Sequence, residues 1–105
     1  MTRGDVHELR LARGVGHEQH GRRLGVVVQS DLYAGLSTVL IAPTSRQALA
    51  TSWRPVITVA GEQTRVLVEQ TKALDLARVG RRVAHLTAEE IWALDDALRA
   101  VLALG

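Results

Sequence analysis

The chain has 105 residues, of which 47% are hydrophobic and 23% charged. That balance supports one core and excludes a disordered chain, so a single domain over 1–105 is predicted. No apolar run approaches the roughly 18 residues of a membrane span, and no basic start leads into an apolar leader. Cysteine is absent, which excludes a disulfide scaffold and a thiolate zinc site and suits a reducing cytoplasm. Every cation except Lys72 is an arginine, whose planar fork matches phosphate. Residues from Thr87 onward carry Glu89, Glu90, Asp95 and Asp96 against Arg99 alone, so the positive excess lies earlier in the chain. That distribution favours a polyanionic partner.

In chain order, Asp5 to Leu11 alternates apolar and polar residues and predicts a half-buried strand. Ala12 to Arg23 holds three glycines with no apolar period and predicts a long loop. Leu24 to Gln29, with three consecutive valines, predicts a strand covered on both faces. After a loop over Ser30 to Ser37, Thr38 to Pro43 predicts another buried strand. Proline cannot continue a central ladder, so the chain is expected to leave the sheet there, with Thr44 to Ser52 as loop or short helix. Pro55 to Ala60 and Thr64 to Gln70 flank Gly61, Glu62 and Gln63, a hairpin signal. Leu74 to Arg78 is too short to assign, and Val79 to Leu86 predicts the last strand. Thr87 with Glu90 three residues on is a capping box that opens a helix. Ile91, Leu94, Leu98, Val101 and Leu102 form its apolar stripe. The pattern predicts a mainly β fold, a small, partly open barrel with a C-terminal helix packed against it.

Three segments concentrate chemistry. Gly14 to Arg23 gathers His17, Glu18, Gln19, His20, Arg22 and Arg23. Its two histidines stand three residues apart rather than at the four-residue spacing of a zinc-protease helix, and no third ligand follows, so no metal is predicted. Arg22 and Arg23 precede the valine strand, where a rigid sheet holds a guanidinium suited to stabilise negative charge on phosphorus. Glu18 is placed to orient one of them through a bidentate pair. Thr44 and Ser45 present hydroxyls at the end of the third strand. Arg3-Gly4-Asp5 matches a cell-adhesion tripeptide, but it opens a strand in a cysteine-free chain, which argues against that role.

Arg3-Gly4-Asp5-Val6, Gly16-His17-Glu18-Gln19 with Arg23, Val26 to Asp31, Thr38-Val39 to Ala42-Pro43-Thr44-Ser45, and Val66 to Gln70 with Leu74-Asp75 occur in one order. Together with the closing helix they resemble the MazF/PemK family of toxin endoribonucleases from bacterial toxin–antitoxin pairs. The resemblance spans nearly the whole chain. It implies an SH3-like β-barrel acting as a homodimer. It also implies metal-independent cleavage of single-stranded RNA, mostly mRNA, without a cofactor. Arg23 matches the family's catalytic arginine, and Ser45, or Thr44 by residue type, its catalytic hydroxyl. Glu18, His17 and His20 stand as supporting residues. Gln19, Arg22, Arg46, Trp53, Arg54, Glu69 and Gln70 stand as RNA-binding residues. Leu24 replaces a proline usual in relatives, and His7 an aromatic. With no phenylalanine in the chain, base stacking falls to Trp53, Tyr33, the loop histidines or guanidinium planes.

The reaction so implied is attack of a ribose 2′-hydroxyl on its own 3′-phosphate, giving a 2′,3′-cyclic phosphate and a 5′-hydroxyl. An arginine is a poor general base near neutrality, so His17 and His20 stand beside Arg23 for proton transfer. The implied protein partner is an antitoxin whose acidic, partly disordered tail folds into the basic groove. Two other classes are open to this sequence: a non-catalytic barrel that binds a protein such as gyrase, and a nucleic-acid-binding regulator without chemistry.

Overall fold

The computed structural model describes residues 1–10 and 23–105. Among these residues, seven strands form one curled antiparallel sheet: β1 (Asp5–Leu9), β2 (Arg23–Val27), β3 (Thr38–Ser45), β4 (Val56–Val59), β5 (Glu62–Val66), β6 (Lys72–Asp75) and β7 (Val79–His85). Neighbours run in the order β4, β5, β3, β2, β1, β7, and β6 pairs with β3. One helix, α1 (Ala88–Leu102), follows the last strand.

The valine run works as predicted, because adjacent strand residues face opposite sides of a sheet. Val26 joins a core cluster with Val6, Ala42, Val66, Leu94 and Ala97, under α1. Val27 joins Val39, Ile41 and Val79 in a second cluster on the other face, where Leu9 and Leu74 pack. The capping box is present: Thr87 Oγ1 accepts from Glu90 N at 3.1 Å, and Glu90 Oε1 accepts from Thr87 N at 2.9 Å. Leu94 is fully buried, which is worth about 1.5–3 kcal/mol for a leucine side chain. The helix stripe ends early, since Val101 and Leu102 are exposed in the last turn.

Pro43 corrects one expectation. β3 continues through it to Ser45 because the strand changes partners there. Val27, Val26 and Gly25 of β2 lie opposite Ile41, Ala42 and Pro43, whereas Thr44 and Ser45 lie opposite Val66 and Arg65 of β5. β6 has already ended opposite Ile41. The missing N–H of Pro43 thus falls between two partner strands, and its carbonyl accepts from Leu67 N at 2.8 Å.

The hairpin differs by its register. Ala60 and Gly61, with φ of 52° and 80°, form a two-residue turn closed by the pair Val59 and Glu62. Positive φ at both central residues is the hairpin geometry that matches strand twist. Glu62 and Gln63 therefore belong to β5 rather than to the turn. The segment left unassigned near Leu74 becomes β6, followed by a 3₁₀ turn over Leu76–Arg78. Leu11 lies outside the described residues.

The tripeptide at the start of β1 is structural. Arg3 pairs with Asp95 of α1 at 2.7 Å, and Asp5 is buried. Asp5 Oδ1 accepts from His85 Nδ1 at 2.7 Å, and its Oδ2 accepts from Thr2 N at 2.8 Å. His7, at the position where relatives often carry an aromatic, is buried with Nδ1 2.9 Å from the Gly80 carbonyl, so it ties β1 to β7.

Burial pushes the Asp5 carboxyl upward, but the His85 and Thr2 hydrogen bonds and the charges of Arg82 and His85 outweigh it and hold the group below its ordinary value. A carboxyl lowered on folding stabilises the folded state at higher pH and loses that contribution as pH falls through the lowered value. Asp5→Asn therefore lowers the thermal midpoint at pH 7, and its deficit against the parent protein narrows as pH falls through the lowered carboxyl value. A pH-independent deficit would contradict this. Gly25 is the second test. A Cβ there would overlap the Ile41 Cγ2 methyl and stand 2.9 Å from Leu9 Cδ1. Gly25→Ala is expected to cost about 1–3 kcal/mol in urea unfolding, as overpacked cores do; an unchanged midpoint would contradict it.

Candidate active site

The start of β2 and the end of β3 lie side by side because Gly25 pairs with Pro43. Arg23, Leu24, Thr44 and Ser45 consequently line one open groove of about 480 Å³. The hairpin of β4 and β5 closes its far wall with Val59, Ala60, Glu62 and Thr64, and Arg46, Gln47 and Leu67 complete it. The floor is half-buried strand backbone, so Arg23 and Ser45 are positioned by the sheet rather than by a loop.

The two candidate hydroxyls differ. Thr44 Oγ1 donates to the Leu24 carbonyl at 3.4 Å, which uses its proton within the sheet. Ser45 Oγ accepts from Gln47 N at 3.2 Å, which fixes the oxygen and leaves its proton for another acceptor. Arg23 and Ser45 also occupy the same position in the strand alternation: Arg23 is two residues from Gly25, and Ser45 two from its partner Pro43.

Of the predicted RNA contacts, Arg46 lines the groove, where its Nη1 lies 2.8 Å from Glu62 Oε1. Arg54 and Glu69 are not among the lining residues. They pair with each other, Arg54 Nε and Nη2 donating to Glu69 Oε2 at 3.0 and 2.7 Å. Arg54 Nη1 also donates to the Leu49 carbonyl at 3.2 Å. The Arg54 hydrogen bond holds the Glu69 carboxyl below its ordinary range against a smaller upward push from burial, and the Glu69 backbone N–H and the Arg54 charge assist. Trp53 is 41% exposed beside Arg54, and Gln70 is exposed at the end of the 3₁₀ turn Val68–Gln70. Tyr33 lies in the connection that leaves β2 and enters β3, at the opposite ends of those strands from Arg23 and Ser45. That removes it from stacking over this groove within its own chain. His17, Glu18, Gln19, His20 and Arg22 lie outside the described residues.

Glu62 is the charged residue among the lining residues that sequence reasoning missed. The signal was present in Ala60-Gly61, a dipeptide able to close a two-residue turn and so move Glu62 into the strand facing the groove. Among the described residues, no group of three or more histidines, carboxylates or cysteines is placed to hold a metal ion. No helix among them is long and apolar enough to cross a membrane.

The groove offers a guanidinium and a hydroxyl on rigid strands, which suits stabilisation of an oxyanion at phosphorus. Residues 2–102 match the family model described as PemK-like, MazF-like toxin of type II toxin-antitoxin system. A toxin candidate of Mycobacterium tuberculosis (strain ATCC 25618 / H37Rv), Rv3098A, is 34% identical over 90 residues, covering 85% of this chain and 84% of that one. Endoribonuclease EndoA of Bacillus subtilis (strain 168) is 29% identical over 111 residues, covering 99% and 96%. In fold, the chain resembles a mycobacterial endoribonuclease solved with its cognate antitoxin, with a TM-score of 0.82 and 14% identity over 100% of this chain and 97% of that one.

Proposed function

The chain belongs to the PemK-like, MazF-like toxin family of type II toxin–antitoxin systems, and from that premise we propose that it is a cytoplasmic, homodimeric endoribonuclease that cleaves single-stranded RNA. The observation that carries this reading is the convergence of Arg23 and Ser45 on one groove at adjacent strand ends. Similarity to EndoA, over nearly the full length of both chains, supports the same activity.

The reaction needs no activated water. A ribose 2′-oxygen bonds to the adjacent phosphorus and gives up its proton, the bond from phosphorus to O5′ breaks, and O5′ takes a proton. The products are a 2′,3′-cyclic phosphate and a 5′-hydroxyl. Arg23 stays protonated near neutrality and offsets the charge gathered on the phosphorane oxygens. Ser45 donates a hydrogen bond from its hydroxyl to one of those oxygens, a role supported by the commitment of Thr44 to Leu24. His17 and His20 suit acceptance of the 2′-proton, since imidazole is the side chain that exchanges a proton near neutral pH. Arg46, Arg22 and Trp53 serve the flanking nucleotides, and the same basic surface suits the acidic tail of an antitoxin.

Purified protein incubated with labelled RNA in EDTA is expected to yield discrete fragments. Arg23→Ala and Ser45→Ala each lose roughly 100-fold or more in rate, the usual cost of deleting one transition-state donor. Thr44→Val retains more activity than Ser45→Ala. Intact RNA with the parent protein would contradict the enzyme and favour a binding module. Full activity in Arg23→Ala with loss in His20→Ala would move the central role to the histidine.

A further inference from the structure

A groove that takes a polyanion has little use for a carboxylate, yet Glu62 lines this one. Stability does not explain it. The Arg46–Glu62 pair is exposed on both sides, 64% and 65%, and exposed pairs contribute little. The pair also partly neutralises Arg46, which weakens indiscriminate phosphate binding. What the pair does supply is a fixed acceptor. Arg46 Nη1 holds Oε1 at 2.8 Å, and Oε2 makes no hydrogen bond among the described residues.

Position favours a base rather than the scissile phosphate. Ser45 lies opposite Arg65, and Glu62 is three residues further along β5, about 10 Å at roughly 3.3 Å per residue and, by that odd offset, on the Thr44 side of the strand alternation. Glu62 also stands at the rim, whereas Arg23 and Ser45 are half-buried on the floor. In the proposed binding mode, with a phosphate at Arg23 and Ser45, a base of a neighbouring nucleotide meets Glu62. An ionised carboxylate only accepts hydrogen bonds, so it pairs with an exocyclic amine and repels a carbonyl oxygen in the same place.

We infer that Glu62 is a specificity-determining residue, selecting an amine-bearing base (cytosine, adenine or guanine) over uracil at a nucleotide flanking the cleaved bond. The inference rests on the proposed RNA cleavage at Arg23 and Ser45. Cytosine and uracil are the sharpest probe, because the amine of one is replaced by the O4 carbonyl of the other. The test measures kcat/KM on RNA oligonucleotides that differ only by cytosine or uracil at each position flanking the cleavage site. The parent protein favours cytosine about tenfold at one of these positions. In Glu62→Gln, whose amide also donates, that ratio falls toward one or inverts, and in Glu62→Ala it falls toward one. An unchanged ratio in both variants, or an equal loss on both substrates, would overturn the inference while leaving the nuclease standing. Intact oligonucleotides with the parent protein would overturn both.

Discussion

The antiparallel pairing of β2 with β3 is the constraint on which the groove depends. Val26 opposite Ala42 and Gly25 opposite Pro43 bring the first residue of one strand beside the last residues of the other. No direct bond between Arg23 and Ser45 is required for them to share a site. The register is held by packing: Gly25 leaves room for the Ile41 methyl, and Val26 and Val27 divide between two cores. A slip of one residue would send Arg23 to the other face of the sheet and undo both cores together.

Around that floor, charge is arranged in three ways. Asp5 is buried and tied to His85, so it closes the sheet at β1 and β7 rather than serving chemistry. Arg54 and Glu69 bind one another and join the segment before β4 to the turn after β5. Arg46 and Glu62 stand exposed at the groove itself. The proposed chemistry uses a guanidinium carried by the sheet itself, since a transition-state donor gains by being held in place before the reaction. An acidic antitoxin tail would be drawn to the same positive surface as RNA, so inhibition needs no second site.

What is legible in the sequence is local. The Thr87–Glu90 box, the valine run and the hairpin near Gly61 carry their structure in neighbouring residues, and each forms. β6 carries no such signal: Lys72–Asp75 is mostly exposed, and its strand exists because β3 supplies a partner edge. The passage of β3 through Pro43 depends likewise on a change of partner strand that no local pattern encodes. The site divides in the same manner. Arg23 and the Thr44–Ser45 corner are legible from motif order, and the pairing brings them together. Glu62 depends on a turn that ends two residues earlier than expected, and the separation of Tyr33 from the groove depends on which strand ends face each other.

The central claim is that a ribose 2′-oxygen in this groove is the nucleophile, with Arg23 and Ser45 stabilising the charge that follows. The most direct measurement replaces the single ribose at the cleavage site of an RNA oligonucleotide with 2′-deoxyribose. Cleavage at that bond should vanish while the oligonucleotide still competes for binding. Cleavage of the deoxy-substituted bond at an undiminished rate would contradict the account.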